Sequence, residues 1–397
     1  MRSLLYNKAF MRHAQTPLVL VFSTSYSPAI GGAEIAIEEI TKRCTHLRFV
    51  ILTTRGSRDV PRREQSGNIL IWRLGLGLSV DKWMLPIFAF FAGRSILRRE
   101  RRAILWGVMI SQGSIAAYFL KLFHSRVPLV ITLQEGDSED HIERARFGLI
   151  YFFWRTILRK ADSVTAISKY LARYAEKAGF EGEVEIIPNG VDENYVSQSF
   201  EGAPIELFKQ ELGIALGKRI ILSVSRLSQK NGILDLIKAF LLLREDGINA
   251  ILLLVGTGEE EQSIRAFVHK LQLEKEVIFA GNIPHNELFR YYRMSDVFVR
   301  PSHSEGLGNA FLEAMGAGIP VIATPVGGIK DFIEDGKTGI FVTPGNAKSI
   351  ADGILRVLSD EMLASELREQ GRELMIRKFL WVDVAKKMED FLREQVS

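Results

Sequence analysis

Val297-Phe298-Val299-Arg300-Pro301-Ser302-His303-Ser304-Glu305-Gly306-Leu307-Gly308-Asn309-Ala310-Phe311-Leu312-Glu313-Ala314-Met315-Gly316-Ala317-Gly318-Ile319-Pro320-Val321 runs an apolar strand into a glycine-bearing loop, opens a helix near Asn309, and enters a second apolar strand. The strand hydrophobicity is unbroken rather than alternating. Such strands are buried on both faces, as in a parallel sheet covered by helices. The same alternation fills the chain. Before it come Leu18–Phe22, Phe49–Thr53, Ile69–Leu74, Ala103–Met109, Leu129–Leu133, Ser163–Ala166 and Glu183–Ile187, then Arg219–Val224, Ala250–Val255 and Val277–Ala280; after it comes Thr338–Val342. Helix-length segments separate them, among them Ala33–Cys44, Ile142–Arg159, Lys169–Ala178, Leu234–Arg244 and Glu259–Leu271. The expected fold class is α/β, with two Rossmann-like, doubly wound parallel sheets. The pattern lapses between about Asp192 and Gly217, in a polar segment that reads as a linker with one short helix. Residues 1–195, a linker 196–217 and residues 218–378 are the expected divisions.

The 397 residues carry 51 Lys plus Arg against 47 Asp plus Glu. The excess is too small for a dedicated nucleic-acid binder, and it leaves room for a local basic patch. The single cysteine excludes a disulfide framework and a Cys-based zinc site, and a reducing cytosol is the expected setting. Met1 to Thr16 has charged residues but no apolar core of a signal peptide. The apolar stretch from Ala103 to Phe123 is interrupted by Ser111, Gln112, Gly113 and Ser114, so it reads as a strand and a helix rather than a membrane span.

In open parallel sheets, ligands bind beyond the carboxyl ends of the strands. Glu305 falls in such a loop and Glu313 within the helix that follows. Eight residues of helix span roughly 12 Å, enough to touch two ends of an elongated ligand and too far for a retaining glycosidase's carboxylate pair. A free helix N-terminus suits a diphosphate. The plain alternative is one local acid and one solvated acid. Arg226 and Lys230 follow the strand Arg219–Val224, where two cations can stabilise a departing diphosphate or simply form a surface pair. Gly31 and Gly32 follow the first strand and allow close backbone approach to a ligand, or a plain tight turn. Gly256-Thr257-Gly258 lacks the third glycine of a dinucleotide fingerprint, and Glu259, Glu260 and Glu261 would repel phosphate there. It reads as a turn beside a nucleoside. Asp137, Glu139, Asp140 and His141 offer ligands of the kind Mg or Mn prefers, but adjacent acids on a loop are more often a solvated helix start, and no metal is expected. Arg94, Arg98, Arg99, Arg101 and Arg102, with Arg144, Arg146, Phe147, Tyr151, Phe152, Phe153, Trp154, Arg155 and Arg159, give the first half basic and aromatic helices. They would contact an anionic membrane surface or lipid-linked acceptor, or else bury their aromatics and solvate their arginines.

Taken in order along the chain, Gly31-Gly32-Ala33-Glu34, Ala161–Ser168, Ile187–Asp192, Arg226 with Lys230, Glu305 through Glu313, Gly327-Gly328 and Asp335–Gly339 resemble the retaining GT-B glycosyltransferases of glycosyltransferase family 4. The resemblance implies two domains facing a central cleft, the first for the acceptor and the second for a nucleoside diphosphate sugar, UDP- or GDP-linked. It implies that Arg226 and Lys230 hold the diphosphate, Glu305 the sugar hydroxyls and Glu313 the ribose, while Gly306, Leu307, Gly308 and Asn309 supply backbone N–H groups. Configuration would be retained, with no metal and no cofactor besides the donor. A helix from about 379 to 397 would cross back onto the first domain. The implied partners are the donor and a glycan or lipid-linked acceptor, at the cytoplasmic face of the membrane, with no nucleic acid. Many relatives carry a His after the strand ending at Leu133; this chain has Gln134-Glu135-Gly136-Asp137, leaving Glu135 or Asp137 for the acceptor side. A nicotinamide oxidoreductase would need a complete glycine fingerprint that no strand here provides. A non-catalytic sugar-nucleotide-binding protein of the same fold is the other alternative.

Overall fold

The computed structural model describes residues 16–28, 31–136, 149–197 and 203–396. Its chain divides into two units, Met1–Asn189 with Trp381–Ser397, and Gly190–Leu380. The first contains β1 (Leu18–Phe22), α1 (Gly32–Arg43), β2 (Arg48–Thr54), β3 (Arg63–Ser66), β4 (Ile69–Leu74), α2 (Asp81–Leu97), β5 (Ala103–Val108), α3 (Gln112–Phe123), β6 (Leu129–Leu133), α4 (Leu149–Lys160), β7 (Ser163–Ala166), α5 (Lys169–Lys177) and β8 (Val184–Ile186). The strands form one sheet in the order β3-β4-β2-β1-β5-β6-β7-β8. Among the described residues, only the β3–β4 pairing is antiparallel. β3 reads Arg-Glu-Gln-Ser, and such an exposed polar edge strand has no apolar signature to betray it. The stretch from Ala103 to Phe123 splits as expected into a buried strand and a helix, and no helix among the described residues is long and apolar enough to cross a membrane.

The second unit contains α6 (Glu193–Ser197), α7 (Ala203–Glu211), β9 (Arg219–Val224), α8 (Ile233–Glu245), β10 (Ala250–Val255), α9 (Glu261–Lys270), β11 (Val277–Gly281), α10 (Leu288–Arg293), β12 (Val297–Arg300), α11 (Asn309–Gly316), β13 (Val321–Ala323), β14 (Ile340–Phe341), α12 (Ala347–Ser359) and α13 (Glu361–Lys378). Its sheet is wholly parallel, in the order β11-β10-β9-β12-β13-β14. α7 and the end of α6 lie in the segment whose polar composition suggested a linker from 196 to 217. They belong to this unit, because Tyr195, Val196 and Phe208 are buried in it and the Phe208 ring meets Tyr291 edge-on at 5.0 Å. The chain therefore passes between units at Asn189–Gly190, a little before residue 195. The final helix, α14 (Trp381–Glu394), returns to the first unit, where Trp381, Val384, Met388 and Leu392 join the core beside Ile37 and Ile40 of α1.

Each sheet reverses its winding once. From β9 the chain moves outward through β10 and β11, then returns to place β12 on the other side of β9. From β1 it moves to β2 and β4, then returns to place β5 beside β1. At such a reversal the loops leaving the two central strands turn apart and open a crevice at their carboxyl ends.

Candidate active site

In the second unit the reversal is flanked by the loop after β9, which carries Arg226 and Lys230, and by the loop after β12, which carries Glu305. The two loops are joined directly: the His303 N–H donates to the Lys230 carbonyl at 2.7 Å. Arg226 is exposed and its Nε donates to Glu259 at 2.9 Å. The Glu259 carboxyl lies below its ordinary value, first through its own backbone N–H and then through the charges of Arg226 and Lys230. Arg226, Lys230 and Glu259 thus share one locality. The Gly256–Gly258 turn is fixed to the same loop, with Ser225 N–H donating to Val255 O and Leu227 N–H to Thr257 O, each at 3.0 Å.

Glu305 is buried, 9% exposed, and its Oε1 accepts from Arg300 Nη2 at 2.5 Å and Ser302 Oγ at 3.0 Å. Arg300 is itself buried at the end of β12. Its guanidinium lies 4.5 Å from the centre of the Phe311 ring, and its Nη1 donates to Val224 O of β9 at 3.2 Å. The ion pair therefore ties the carboxyl ends of the two central strands together. Ser223 Oγ, Ser225 Oγ and Arg300 Nε, in the same place, are buried with no hydrogen-bond partner in the chain. Buried polar atoms are nearly always paired, so these three at the carboxyl ends of adjacent strands are candidates to accept or donate to a bound polar group or water.

The loop around Glu305 admits little variation. Gly327 sits at φ 52° after β13, and a side-chain carbon there would stand 1.7 Å from the Glu305 carbonyl. Gly308 adopts φ 90° as the N-cap of α11, a conformation a β-carbon opposes. Gly306 and Leu307 are buried, Leu307 at 2% exposure, so Leu307 anchors the loop while Asn309 opens the helix. Glu313 lies one turn into α11, 7% exposed. Its Oε1 meets His285 Nε2 at 3.0 Å and its Oε2 accepts from Tyr292 OH at 2.8 Å. Burial drives the Tyr292 phenol well above its ordinary pKa, and the Glu313 charge adds to this. Tyr292 is thus a permanent donor. The Tyr195 OH donates to the His285 carbonyl at 3.2 Å, and burial, then Glu313 and Asp192, push its pKa up as well.

The structure brings Arg226, Lys230, Glu305, Gly306, Leu307, Gly308, Asn309 and Glu313 into one unit and leaves Gly31, Gly32 and Glu135 in the other. Gly31 caps α1, and the space beside it holds the Glu34 carboxylate, which also accepts from Ser25 Oγ. Glu135 is buried and accepts from Ile110 N at 2.5 Å and Gln134 N at 2.9 Å, holding the loop after β5 against the loop after β6. Asp137 and the acid cluster with Glu139, Asp140 and His141 lie outside the described residues, as do Arg144, Arg146 and Phe147. Sequence reading missed Arg300, Ser302, His285, Tyr292 and Tyr195. Only Arg300 carried a signal: a charged residue at the end of an otherwise apolar buried strand demands a partner.

Residues 204–374 match the model described as glycosyl transferases group 1, and residues 30–195 match that of Glycosyltransferase Family 4. The N-acetyl-alpha-D-glucosaminyl L-malate synthase of Bacillus anthracis is 30% identical over 292 residues, 72% of each chain. This chain belongs to glycosyltransferase family 4. A GDP-mannose-dependent alpha-(1-6)-phosphatidylinositol monomannoside mannosyltransferase of Mycobacterium tuberculosis is 31% identical over 252 residues, 60% of this chain and 64% of that protein. The match thus spans a little under two thirds of the mycobacterial relative. Among solved structures, the sucrose-phosphate synthase of Thermosynechococcus elongatus superposes with a TM-score of 0.80 at 22% identity, covering 96% of this chain and 98% of that one. That likeness establishes the GT-B fold of this family member.

Proposed function

We propose that this family member is a retaining glycosyltransferase that moves a hexose from a UDP- or GDP-linked donor to a glycan or lipid-linked acceptor. The work is done in the cytoplasm or on the inner face of the membrane and requires no metal. One observation carries the reading: the loops on either side of the β9–β12 reversal bring two cations, a buried carboxylate and a helix N-terminus to a place with unpartnered buried polar atoms. In this reading Arg226 and Lys230 take the diphosphate, with Glu259 giving up Arg226 as the donor enters. Gly306, Leu307, Gly308 and Asn309 present backbone to sugar and phosphate, with the positive end of α11 behind them. Glu305, aimed by Arg300 and Ser302, accepts from sugar hydroxyls, and Glu313, aimed by His285 and Tyr292, accepts from the ribose. Gly31 and Gly32 offer the donor a close backbone approach, and Glu135 or Asp137 serves the acceptor.

The chemistry follows from the charges. The bond between the anomeric carbon and the diphosphate oxygen breaks, and its electron pair leaves with the diphosphate. The acceptor hydroxyl attacks from the same face, forms the new carbon–oxygen bond and gives its proton to the departing diphosphate. Arg226, Lys230 and the α11 terminus stabilise charge that grows in the transition state, which is the condition for lowering a barrier. The test is thermal melting against a panel of sugar nucleotides, followed by sugar transfer from any stabilising donor. A donor bound only by the folded chain raises the melting temperature. Binding without either transfer or donor hydrolysis would establish the non-catalytic alternative.

A further inference from the structure

Tyr195 touches both residues that hold Glu313. Its hydroxyl donates to the His285 carbonyl at 3.2 Å. Its ring lies 6.2 Å from the His285 ring and 6.0 Å, edge-on, from that of Tyr292. The Phe289 ring, edge-on at 5.5 Å, closes the cluster. His285 and Tyr292 stand on different elements, the loop after β11 and α10, and each meets one oxygen of Glu313. Tyr195 is buried, so these contacts are made in the packed interior of the second unit. For packing alone a phenylalanine would serve as well. The buried hydroxyl needs a partner, and it finds one in main chain 90 residues away, at the residue that orients a site carboxylate.

The segment that carries Tyr195 also backs the helix on which Glu313 stands. Val191 is buried, and a β-carbon added at Gly316 of α11 would stand 2.9 Å from Val191 Cγ2 and 3.6 Å from Tyr195 Cβ. Val191 is fixed in turn: its N–H donates to the Phe379 carbonyl at 2.7 Å, and it bridges to Leu380. On the far side of Tyr195 in the chain, Arg372 donates to the Val196 carbonyl. The stretch from Val191 to Val196 is thus pinned near both ends, while Tyr195 grips the loop and the helix that orient Glu313. Alignment is what such a grip protects. A carboxylate recognises a hydroxyl along its remaining lone pairs, and hydrogen bonds weaken steeply as their geometry is lost.

We propose that Tyr195 is a positioning residue for donor recognition: through His285 and Tyr292 it fixes the direction of Glu313, and so sets the preference for a ribonucleotide over its deoxy counterpart. This role rests on the reading above in which Glu313 takes the ribose. Removing the Tyr195 hydroxyl frees the His285 main chain, the His285 ring turns with it, and Glu313 loses the alignment that a ribose hydroxyl needs.

The test is calorimetric titration of the full chain with UDP and with GDP, and with the 2′-deoxy and 3′-deoxy forms of whichever binds. The wild type is expected to prefer the ribonucleotide over at least one deoxy form by about tenfold or more, the size of a hydrogen bond to a charged group. Tyr195→Phe keeps the ring and removes the bond to His285. It is expected to weaken ribonucleotide binding about fivefold and to leave that deoxy form within about twofold of wild type, so that the preference shrinks. In a Glu313→Ala background the same substitution is expected to change nothing further, because residues that act through one group are not additive. A general loosening of the fold would weaken every nucleotide alike, with or without Glu313. The proposal is overturned if Tyr195→Phe weakens ribo- and deoxynucleotides equally, if it weakens neither, or if its effect persists without Glu313. A wild type that binds UDP or GDP with no preference for the ribose removes Glu313 from the ribose, and Tyr195 with it; one that binds neither nucleotide removes the donor site itself.

Discussion

Two buried carboxylates in each unit are held in different ways. In the second, Glu305 and Glu313 are held by side chains: Arg300 and Ser302 on one, His285 and Tyr292 on the other. In the first, Glu135 and Asp81 are held by main chain: Glu135 by Ile110 and Gln134, Asp81 by Leu76, Gly77 and Leu78. A carboxylate that staples backbone sets the shape of a loop. One oriented by side chains keeps lone pairs for a ligand while its direction is fixed, since each oxygen can accept more than one hydrogen bond. On this contrast the side-chain-held pair is open to the sugar and ribose roles proposed above, while Asp81 fixes the loop before α2 and Glu135 also holds the loops after β5 and β6 together.

The contrast can be broken from either side. The largest effect is expected at the cations that only the second unit's reversal carries. Lys230→Ala should lower kcat by about 10²- to 10³-fold while leaving the melting temperature near wild type, because the residue acts on charge that develops during the reaction. Wild-type turnover would remove Lys230 from the site. Next comes the ion pair. Arg300→Met leaves Glu305 buried and unpaired, which should cost about 3–5 kcal/mol of stability by denaturant unfolding. A loss below about 1 kcal/mol would mean that solvent reaches Glu305 and that its orientation is not set by Arg300. Tyr292→Phe removes one donor to a charged acceptor, with an expected loss of about 1.5–3 kcal/mol and a raised KM for the donor.

The smallest effect, and the sharpest test of the backbone-held class, is at Asp81. Burial pushes this carboxyl up, but the N–H groups of Leu76, Leu78 and Gly77, helped by Arg55, outweigh burial and leave it below its ordinary value. A lowered folded-state pKa contributes stability above the unfolded value of about 4, and that contribution is lost as pH falls through the folded value. Asp81→Ala should therefore be about 1–3 kcal/mol less stable than wild type at neutral pH, with the gap closing in acid. A gap that stays constant from neutral pH into acid would show that the charge contributes nothing.

Much of the fold is legible in the amino-acid sequence alone. β1, β4, β6, β7, β9 and β10 lie where the apolar runs predict them, because strands buried on both faces are dominated by apolar residues. β3 is illegible for the converse reason. The positions of Glu305 in a loop and Glu313 in a helix, with α11 opening at Asn309, also follow from local pattern. The partners of the two glutamates do not. Arg300 is five residues from Glu305 and His285 is 28 from Glu313, and neither spacing distinguishes a contact from a coincidence.

Local periodicity and glycine placement, which depend only on neighbouring residues, determined the α/β class, the parallel sheets and the loops that carry the charged groups. What only the tertiary structure decided is which charges are neutralised and which apolar rings remain in water. Trp154 and Phe152 are two residues apart on α4 and equally apolar in sequence, yet one is in the core and the other is 60% exposed. Burial is a property of everything that packs around a side chain, and no local window of sequence contains that.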